Sequence, residues 1–169
     1  DYQKDYESLF LGLSQLPKDL NWQLVYVGDG LLSSKAKKLA KYLSIDHKVE
    51  FVGFKIDLQK FYQNADVYIL SSNWEGLPIT LLDAMNFSLP IVTTNVGGCS
   101  DVVSHGYNGY LVPIKSPEHM TLFLKHLSQN KSLIYEFGTK SKLLYKKLFN
   151  KKLFNEKTFE VYQKYLIKN

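Results

Sequence analysis

The chain has 169 residues, of which 45% are hydrophobic and 22% charged, a size and composition typical of one folded domain. Wholesale disorder is excluded, and the single cysteine, Cys99, excludes an internal disulfide and any site built from several cysteines. The net charge is +5, but nine lysines and two glutamates lie beyond residue 138, so the rest of the chain is slightly acidic.

The charge pattern limits the partners of this chain. Every basic residue is lysine, whereas contacts to guanine and bidentate contacts to phosphate are made mostly by arginine. We therefore predict no nucleic-acid partner. No apolar run is long enough to span a membrane, so no membrane-spanning segment is predicted.

In its first half the chain alternates helical and extended patterns. Apolar residues recur at helical spacing before Pro17, and a β-branched and aromatic segment then runs into Gly28 and Gly30. The predicted elements are a helix over 6–16, a strand over 22–27, a helix over 33–43, a strand over 49–53, a helix over 57–65 capped by Asp57 and a strand over 66–71.

The second half continues the alternation. Pro78 suits the first position of a helix, and Ser116 is a suitable helix cap. The predicted elements are a helix from about 78, a strand over 90–94, a short helix over 101–104, a strand over 109–112, a helix over 116–129 and a basic amphipathic helix or pair of helices from 140.

Strands separated by helices, without hairpin signals, predict an α/β fold: a Rossmann-like, mostly parallel sheet with helices on both faces. Such folds usually open with a strand, but this sequence opens with a helical pattern, so we expect the first strand to be missing. The predicted organisation is a ligand-binding domain over 1–137 and basic amphipathic C-terminal helices over 138–169 that pack on it. Ligands of such sheets bind at the carboxyl ends of the strands.

Two acidic residues lie at one of those ends. Glu75 and Asp83 bracket seven residues in which a loop passes into a helix. The first amide groups of a helix lack partners within it and attract anions. A diphosphate with hydroxyl groups for the carboxylates, as in a nucleotide-activated sugar, suits this arrangement. The alternative is that both side chains are simply solvated surface charges.

Several separated motifs carry a resemblance. They are Ser71-Ser-Asn-Trp-Glu-Gly-Leu-Pro-Ile-Thr-Leu-Leu-Asp-Ala-Met85, Leu89-Pro-Ile-Val-Thr-Thr-Asn-Val-Gly-Gly98, and the stretches at 27–30, 49–54, 61–68, 101–103 and 108–113. In order and spacing they resemble family 4 retaining glycosyltransferases of the GT-B fold. The match covers residues 3–115 and corresponds to the C-terminal, nucleotide-sugar-binding half of that fold.

The resemblance implies a role for each matching residue. Glu75 matches the catalytic glutamate at the donor sugar, and Asp83 matches a glutamate that holds the ribose; aspartate there is a departure, because it is one methylene shorter. Lys4 matches a lysine that neutralises the diphosphate. The other implied donor-binding residues are Gly28 at the phosphate, Gly53 and Phe54 at the base, Gly76 and Leu77 at the sugar, and Thr80 and Leu81 at the distal phosphate.

The resemblance also implies the function. It is transfer of a hexose-type sugar from a UDP or GDP donor to a glycan or lipid acceptor, with no metal or further cofactor. The acceptor-binding N-terminal domain would be a missing partner, and the basic tail would contact it or an anionic membrane surface in the cytoplasm. The alternatives are a non-catalytic nucleotide-sugar-binding or docking module and a sugar-nucleotide epimerase-like domain.

Overall fold

The computed structural model describes residues 2–166. Of Lys151 it describes only the backbone. Helices and strands alternate as predicted. They are α1 (Tyr6–Ser14), β1 (Leu24–Val27), α2 (Ser33–Tyr42), β2 (Val49–Gly53), α3 (Gln59–Gln63), β3 (Tyr68–Leu70), α4 (Ile79–Asn86), β4 (Ile91–Thr94), α5 (Cys99–Val102), β5 (Gly109–Val112), α6 (Pro117–Gln129), α7 (Lys131–Leu144) and α8 (Lys151–Leu166). Short 3₁₀ turns cover Tyr2–Lys4 and Asp46–Lys48, and a π-helical turn covers Tyr145–Phe149.

All pairings between the strands are parallel, which confirms the predicted α/β class. Strands β1 and β2 pair with each other, and β4 lies between β3 and β5. The expected single sheet is therefore divided into one of two strands and one of three. No ladder of hydrogen bonds joins β1 to β3 among the described residues.

Helices cover both faces of the three-stranded sheet. Adjacent residues of β4 point to opposite faces, so Val92 joins a cluster with Phe10 of α1, and Ile91 joins one with Met85 of α4. We call these the α1 cluster and the α4 cluster. The α1 cluster also includes side chains of α2 and α6, and the α4 cluster includes Cys99 of α5.

Two predicted helix caps have different outcomes. The Asp57 carboxylate accepts a hydrogen bond from the Gln59 amide at 2.9 Å, but α3 begins at Gln59 and Leu58 is its cap, so Asp57 binds the first helical amide from one residue before the observed cap position. Ser116 precedes α6, but its hydroxyl donates to the Glu118 carboxylate and contacts His119 Nδ1 at 2.7 Å instead of accepting from the backbone. The Ser116 side chain is therefore directed to Glu118 and His119, and it makes no cap hydrogen bond to the first turn of α6.

The C-terminal helices differ in how closely they pack. Helix α7 lies against the sheet, where the Ser141 hydroxyl bonds to the Asn108 carbonyl at 3.3 Å. Helix α8 has no buried residue among those described, and its apolar side chains, such as Phe154 and Tyr162, are largely exposed. The predicted division at residues 137 and 138 falls inside α7. No helix within residues 2–166 combines the length and the hydropathy needed to cross a bilayer.

Candidate functional site

Within each sheet, the loops that follow the strands lie at one edge because the strands are parallel. At the two-stranded end, the Gly28 amide donates to the Gly53 carbonyl at 2.9 Å. Both glycines have positive φ, 131° and 69°, which only glycine adopts readily. The structure therefore brings these two predicted donor-binding residues together.

The Glu75 carboxylate, in the loop after β3, is held by several hydrogen bonds. Its side chain is only 8% exposed. Oxygen Oε1 accepts from the Lys4 ammonium at 2.5 Å and from the Ser72 hydroxyl at 2.6 Å, and Oε2 accepts from the Gln3 amide at 3.4 Å. A buried carboxylate needs such partners, since desolvation without them would be costly. The structure thus joins Glu75 and Lys4, two residues predicted to act on one ligand.

The segment that carries Lys4 is held by the loop after β3. The Asn73 amide donates to the Gln3 carbonyl at 2.7 Å, and the Ser71 hydroxyl donates to the Lys4 carbonyl at 2.8 Å. These bonds fix the backbone on both sides of the lysine. The Lys4 side chain itself is 45% exposed, so its ammonium can contact both Glu75 and a ligand from solution.

The loop after β4 supports the Glu75 loop from behind. The Gly98 amide donates to the Gly76 carbonyl at 2.7 Å, and a Cβ on Gly97 would lie 1.8 Å from the Glu75 carbonyl oxygen. The Thr94 hydroxyl donates to the Ser72 carbonyl at 2.5 Å. The two loops are therefore in backbone contact, and the glycine pair is required by that contact.

Helix α4 begins at Ile79, after Pro78, as predicted. The amides of Ile79 and Thr80 lie in the first turn, where a helix offers them no acceptor. The Leu81 amide differs from the prediction, because it already donates to the Pro78 carbonyl at 3.0 Å, and the Leu81 side chain is fully buried. A tight first turn removes this amide from the set that could meet a phosphate, and the side chain serves the core.

Asp83 lies on the second turn of α4 and is partly buried. Burial raises the pKa of its carboxyl above the ordinary value. Asp83 and Leu77 line a mostly apolar groove of about 700 Å³ that is completed by α8 residues such as Phe154. Leu77 is half exposed at this groove, and Gly76 borders open space.

Tyr68 connects the surroundings of the two acids. The pKa of its phenol is raised to about 12, chiefly by burial; a hydrogen bond with Thr80 opposes the rise, and the charges of Glu75 and Asp83 add to it. The Tyr68 ring is therefore close enough to both carboxylates for their charges to affect its pKa. In contrast, the Phe54 ring, in the loop after β2, is 72% exposed.

Four residues that contact or support Glu75 were not found from the sequence. Gln3 and Ser72 bind the carboxylate, Thr94 holds the Ser72 backbone, and Tyr68 lies beside both acids. Only Ser72 had a local signal, because it precedes Glu75 by three residues in the same loop. Within residues 2–166 no group of three His, Cys, Asp or Glu side chains is arranged to hold a metal ion.

The parallel strands, covered by helices on both faces, define the class as a Rossmann-like α/β domain. The family model of the group 1 glycosyl transferases matches residues 1–143. The chain belongs to the family of group 1 glycosyl transferases.

Relatives agree with this assignment. The chain is 36% identical over 125 residues to an uncharacterized glycosyltransferase of Haemophilus influenzae, covering 73% of this chain and 35% of the relative. It is 30% identical over 132 residues to the lipopolysaccharide 1,6-galactosyltransferase of Salmonella typhimurium, covering 75% of this chain and 35% of the relative. The chain thus spans about a third of the length of these relatives.

Solved structures share the fold. Anabaena HepE in complex with UDP matches with a TM-score of 0.90 and 19% identity, covering 97% of this chain and 46% of that chain. Sucrose-phosphate synthase of Thermosynechococcus elongatus matches with a TM-score of 0.90 and 22% identity, covering 100% and 44%. At such identities the likeness supports the fold alone.

Proposed function

We propose that this chain is the donor-binding part of a retaining glycosyltransferase of the family 4 type, and that it binds a nucleoside-diphosphate hexose. The observation that carries the proposal is the buried Glu75 carboxylate, held by Lys4 and Ser72 beside the first turn of α4. A carboxylate acceptor and a cation from the segment before α1 thus meet at the loop that leads into the first amides of α4, and a sugar diphosphate needs all three kinds of group.

The diphosphate would lie between Lys4 and the start of α4. An ammonium group has three protons, so the Lys4 side chain can hold Glu75 and a phosphate oxygen together. The amides of Ile79 and Thr80 would add the positive end of the helix dipole. These groups offset phosphate charge without a metal ion.

Glu75 would act on the sugar. Its fixed carboxylate would accept hydroxyl hydrogen bonds and stabilise positive charge as the bond between C1 and the diphosphate oxygen breaks. The nucleoside diphosphate would leave with the electron pair of that bond, and an acceptor hydroxyl would form the new bond on the same face and pass its proton to the departing diphosphate oxygen. Asp83 would hold the ribose, with Gly53 and Phe54 at the base and Gly28 near the phosphates.

UDP is the nucleotide that the comparisons favour. HepE has been crystallised with UDP and with UDP-glucose, and the Salmonella typhimurium relative is a lipopolysaccharide 1,6-galactosyltransferase. We therefore propose a UDP-hexose donor and a glycan or lipid acceptor. Because the chain spans about a third of its relatives, we propose that it binds the donor and that an acceptor-binding domain outside residues 1–169 completes the transferase.

The C-terminal helices indicate where in the cell the protein would act. Lysines of the C-terminal tail and the exposed aromatic side chains of α8 suit contact with an anionic lipid surface or with that acceptor-binding domain. A cytoplasmic location at the inner face of a membrane remains a prediction. Binding to vesicles with and without anionic lipid tests it.

Calorimetric titration of the purified chain with UDP, GDP and UDP-glucose tests the donor site. Lys4→Ala is expected to weaken UDP binding about tenfold, the usual cost of one charge-assisted hydrogen bond. Lys125→Ala on the exposed face of α6 is the matched control and should leave UDP affinity unchanged. Equal affinity of the Lys4 and Lys125 variants would contradict the diphosphate role.

A second pair of variants tests Glu75. Glu75→Gln should keep UDP affinity but lose the preference for UDP-glucose over UDP, because only the sugar-linked donor contacts the carboxylate. Glu118→Gln is the control of the same size and charge change. If Glu75→Gln preserves that preference, the proposed sugar contact is wrong.

A further inference from the structure

The two tryptophans of the chain differ in what covers them. Trp22 packs against the α1 cluster, and the Lys48 ammonium lies 5.0 Å from the centre of its ring. Trp74, in the loop after β3, is 57% exposed, and within residues 2–166 no aromatic ring or cation covers it. Because tryptophan is highly buried on average, an uncovered indole beside the proposed reaction site is a candidate contact for a ligand.

The backbone that carries this indole is fixed on both sides. The Gln3 side-chain amide donates to the Trp74 carbonyl at 3.0 Å. The preceding residue, Asn73, donates its backbone amide to the Gln3 carbonyl and its side-chain amide to the Tyr2 carbonyl, each at 2.7 Å. The ring is therefore exposed although its loop is held, and only the two torsion angles of its side chain have to be ordered when it binds a ligand.

The same Gln3 amide connects Trp74 to Glu75. Its nitrogen also lies 3.4 Å from Glu75 Oε2, so the indole and the carboxylate belong to one hydrogen-bonded unit, with their Cα atoms about 3.8 Å apart. The two residues differ in depth, because the Glu75 side chain is only 8% exposed whereas Trp74 is mostly exposed. Trp74 therefore lies on the outer side of the site, nearer to solvent than Glu75.

A pyranose ring matches this pair of side chains. Its hydroxyl groups lie around the rim and suit a carboxylate, whereas the C–H groups on its faces form an apolar surface. The face of an indole carries partial negative charge, so it attracts these weakly positive hydrogens and shields them from water. A carboxylate beside an exposed aromatic ring can therefore hold sugars through both kinds of surface.

We propose that Trp74 is a further binding residue of this site, and that its indole stacks on the terminal pyranose of a glycan acceptor. This inference rests on the proposed function, which assigns the donor sugar to Glu75. The donor would lie inward, with its diphosphate between Lys4 and α4 and its sugar at the buried carboxylate. The acceptor arrives from solution and first meets the exposed layer, to which Trp74 belongs.

Titration with simple pyranosides, followed by nuclear magnetic resonance, tests the proposal on the whole chain with and without UDP. The indole N–H groups of Trp22 and Trp74 give separate signals, which the Trp22→Phe variant assigns. The probes are methyl α-D-glucopyranoside and methyl α-D-galactopyranoside, and the control is sorbitol, an open-chain polyol without a ring face. At least one pyranoside should shift the Trp74 signal saturably while the Trp22 signal stays in place. An unmoved Trp74 signal, or an equal shift with sorbitol, would overturn the proposal.

Two substitutions separate stacking from ordinary hydrophobic contact, with the Gly76 amide signal reporting pyranoside binding. Trp74→Phe keeps an aromatic ring and should retain most of the pyranoside affinity, whereas Trp74→Leu lacks π electrons and should weaken it about fivefold. Tyr135→Leu removes another exposed aromatic ring, on α7, and should leave the affinity unchanged. Equal pyranoside affinity of the Phe and Leu variants at position 74 would overturn the stacking.

UDP-glucose distinguishes the two sources of a sugar ring. Trp74→Leu should weaken binding of the pyranoside but not of UDP-glucose. A loss of UDP-glucose affinity at constant UDP affinity would place the stack on the donor sugar and overturn the acceptor assignment. Failure of the proposed function gives a different result, because the chain would then bind neither UDP nor UDP-glucose, while the pyranoside shift at Trp74 is measured separately without nucleotide.

Discussion

The two sheets of this molecule differ in burial. Every residue of β4 is buried between two neighbouring strands and two clusters, whereas exposed residues alternate with partly buried ones along β1. The glycines in the loops after the strands show the same difference in packing. A Cβ on Gly97 would collide with the Glu75 carbonyl, whereas Gly28 and Gly53 border open space.

The difference shows how the site is divided. The Glu75 loop is held by hydrogen bonds to Lys4 and Ser72 and by contact with the loop after the fully buried strand β4, so the group proposed to meet the reacting sugar is fixed before any ligand arrives. The Gly53 and Phe54 end is set on a two-stranded sheet with an open edge. The tightly packed loop therefore carries Glu75, the residue whose position matters most for the proposed reaction. The loop at Gly53 and Phe54 is more open.

The largest effect should come from breaking the rigid end. Gly97→Ala places a methyl group against the Glu75 backbone at a φ of 48°, so strain and collision together should cost about 3 kcal/mol or more of unfolding free energy and abolish UDP binding. Gly106→Ala is the matched control, because Gly106 also has positive φ, 74°, but borders open space. Denaturant unfolding measures both; similar losses would mean that loop contact is unimportant.

A smaller effect should show the difference in packing between the two sheets. Val92→Ala in β4 removes fully buried methyl groups and should cost about 2 kcal/mol. Val25→Ala in β1, where the side chain is 40% exposed, should cost less than about 0.5 kcal/mol. Urea unfolding of both variants checks the comparison, and equal losses would contradict a more tightly packed β4.

The smallest effect concerns Asp83. Because burial raises the pKa of its carboxyl in the folded state, the protonated form is favoured on folding; that stabilisation is complete below the unfolded pKa of about 3.9 and is lost as pH rises through the raised folded pKa. At pH 7 the ionised carboxylate therefore opposes folding. Asp83→Asn should raise the Tm slightly at pH 7 but not at pH 3, and should weaken UDP binding.

Asp19→Asn on an exposed turn is the control for this prediction. Its Tm should not change between the two pH values relative to the parent chain. A lower Tm for Asp83→Asn at pH 7 would mean that the carboxylate makes a stabilising contact in the absence of ligand.

Much of the fold could be predicted from local patterns. The strands over 49–53 and 109–112 coincide with β2 and β5, and the helix after Pro78 begins where its proline indicates. These elements depend on periodicity and on single residues with restricted backbone angles. The occupied amide of Leu81 and the altered partners of Ser116 could not be predicted, because they depend on how one turn closes and on which side chains are nearest.

The sequence by itself determined the alternation of elements and the parallel class of the sheet, and it indicated Glu75 and Asp83 at the passage from a loop into a helix, since spacing and residue type act over short distances along the chain. Lys4 was indicated only by the family resemblance. Only the tertiary structure decided that Gln3, Ser72 and Lys4 meet on one carboxylate, that Gly97 supports it, and that the strands divide into two sheets. Apart from the Ser72 contact, which lies within the Glu75 loop, these contacts join segments about 70 residues apart or separate loops, and packing, rather than local propensity, selects them.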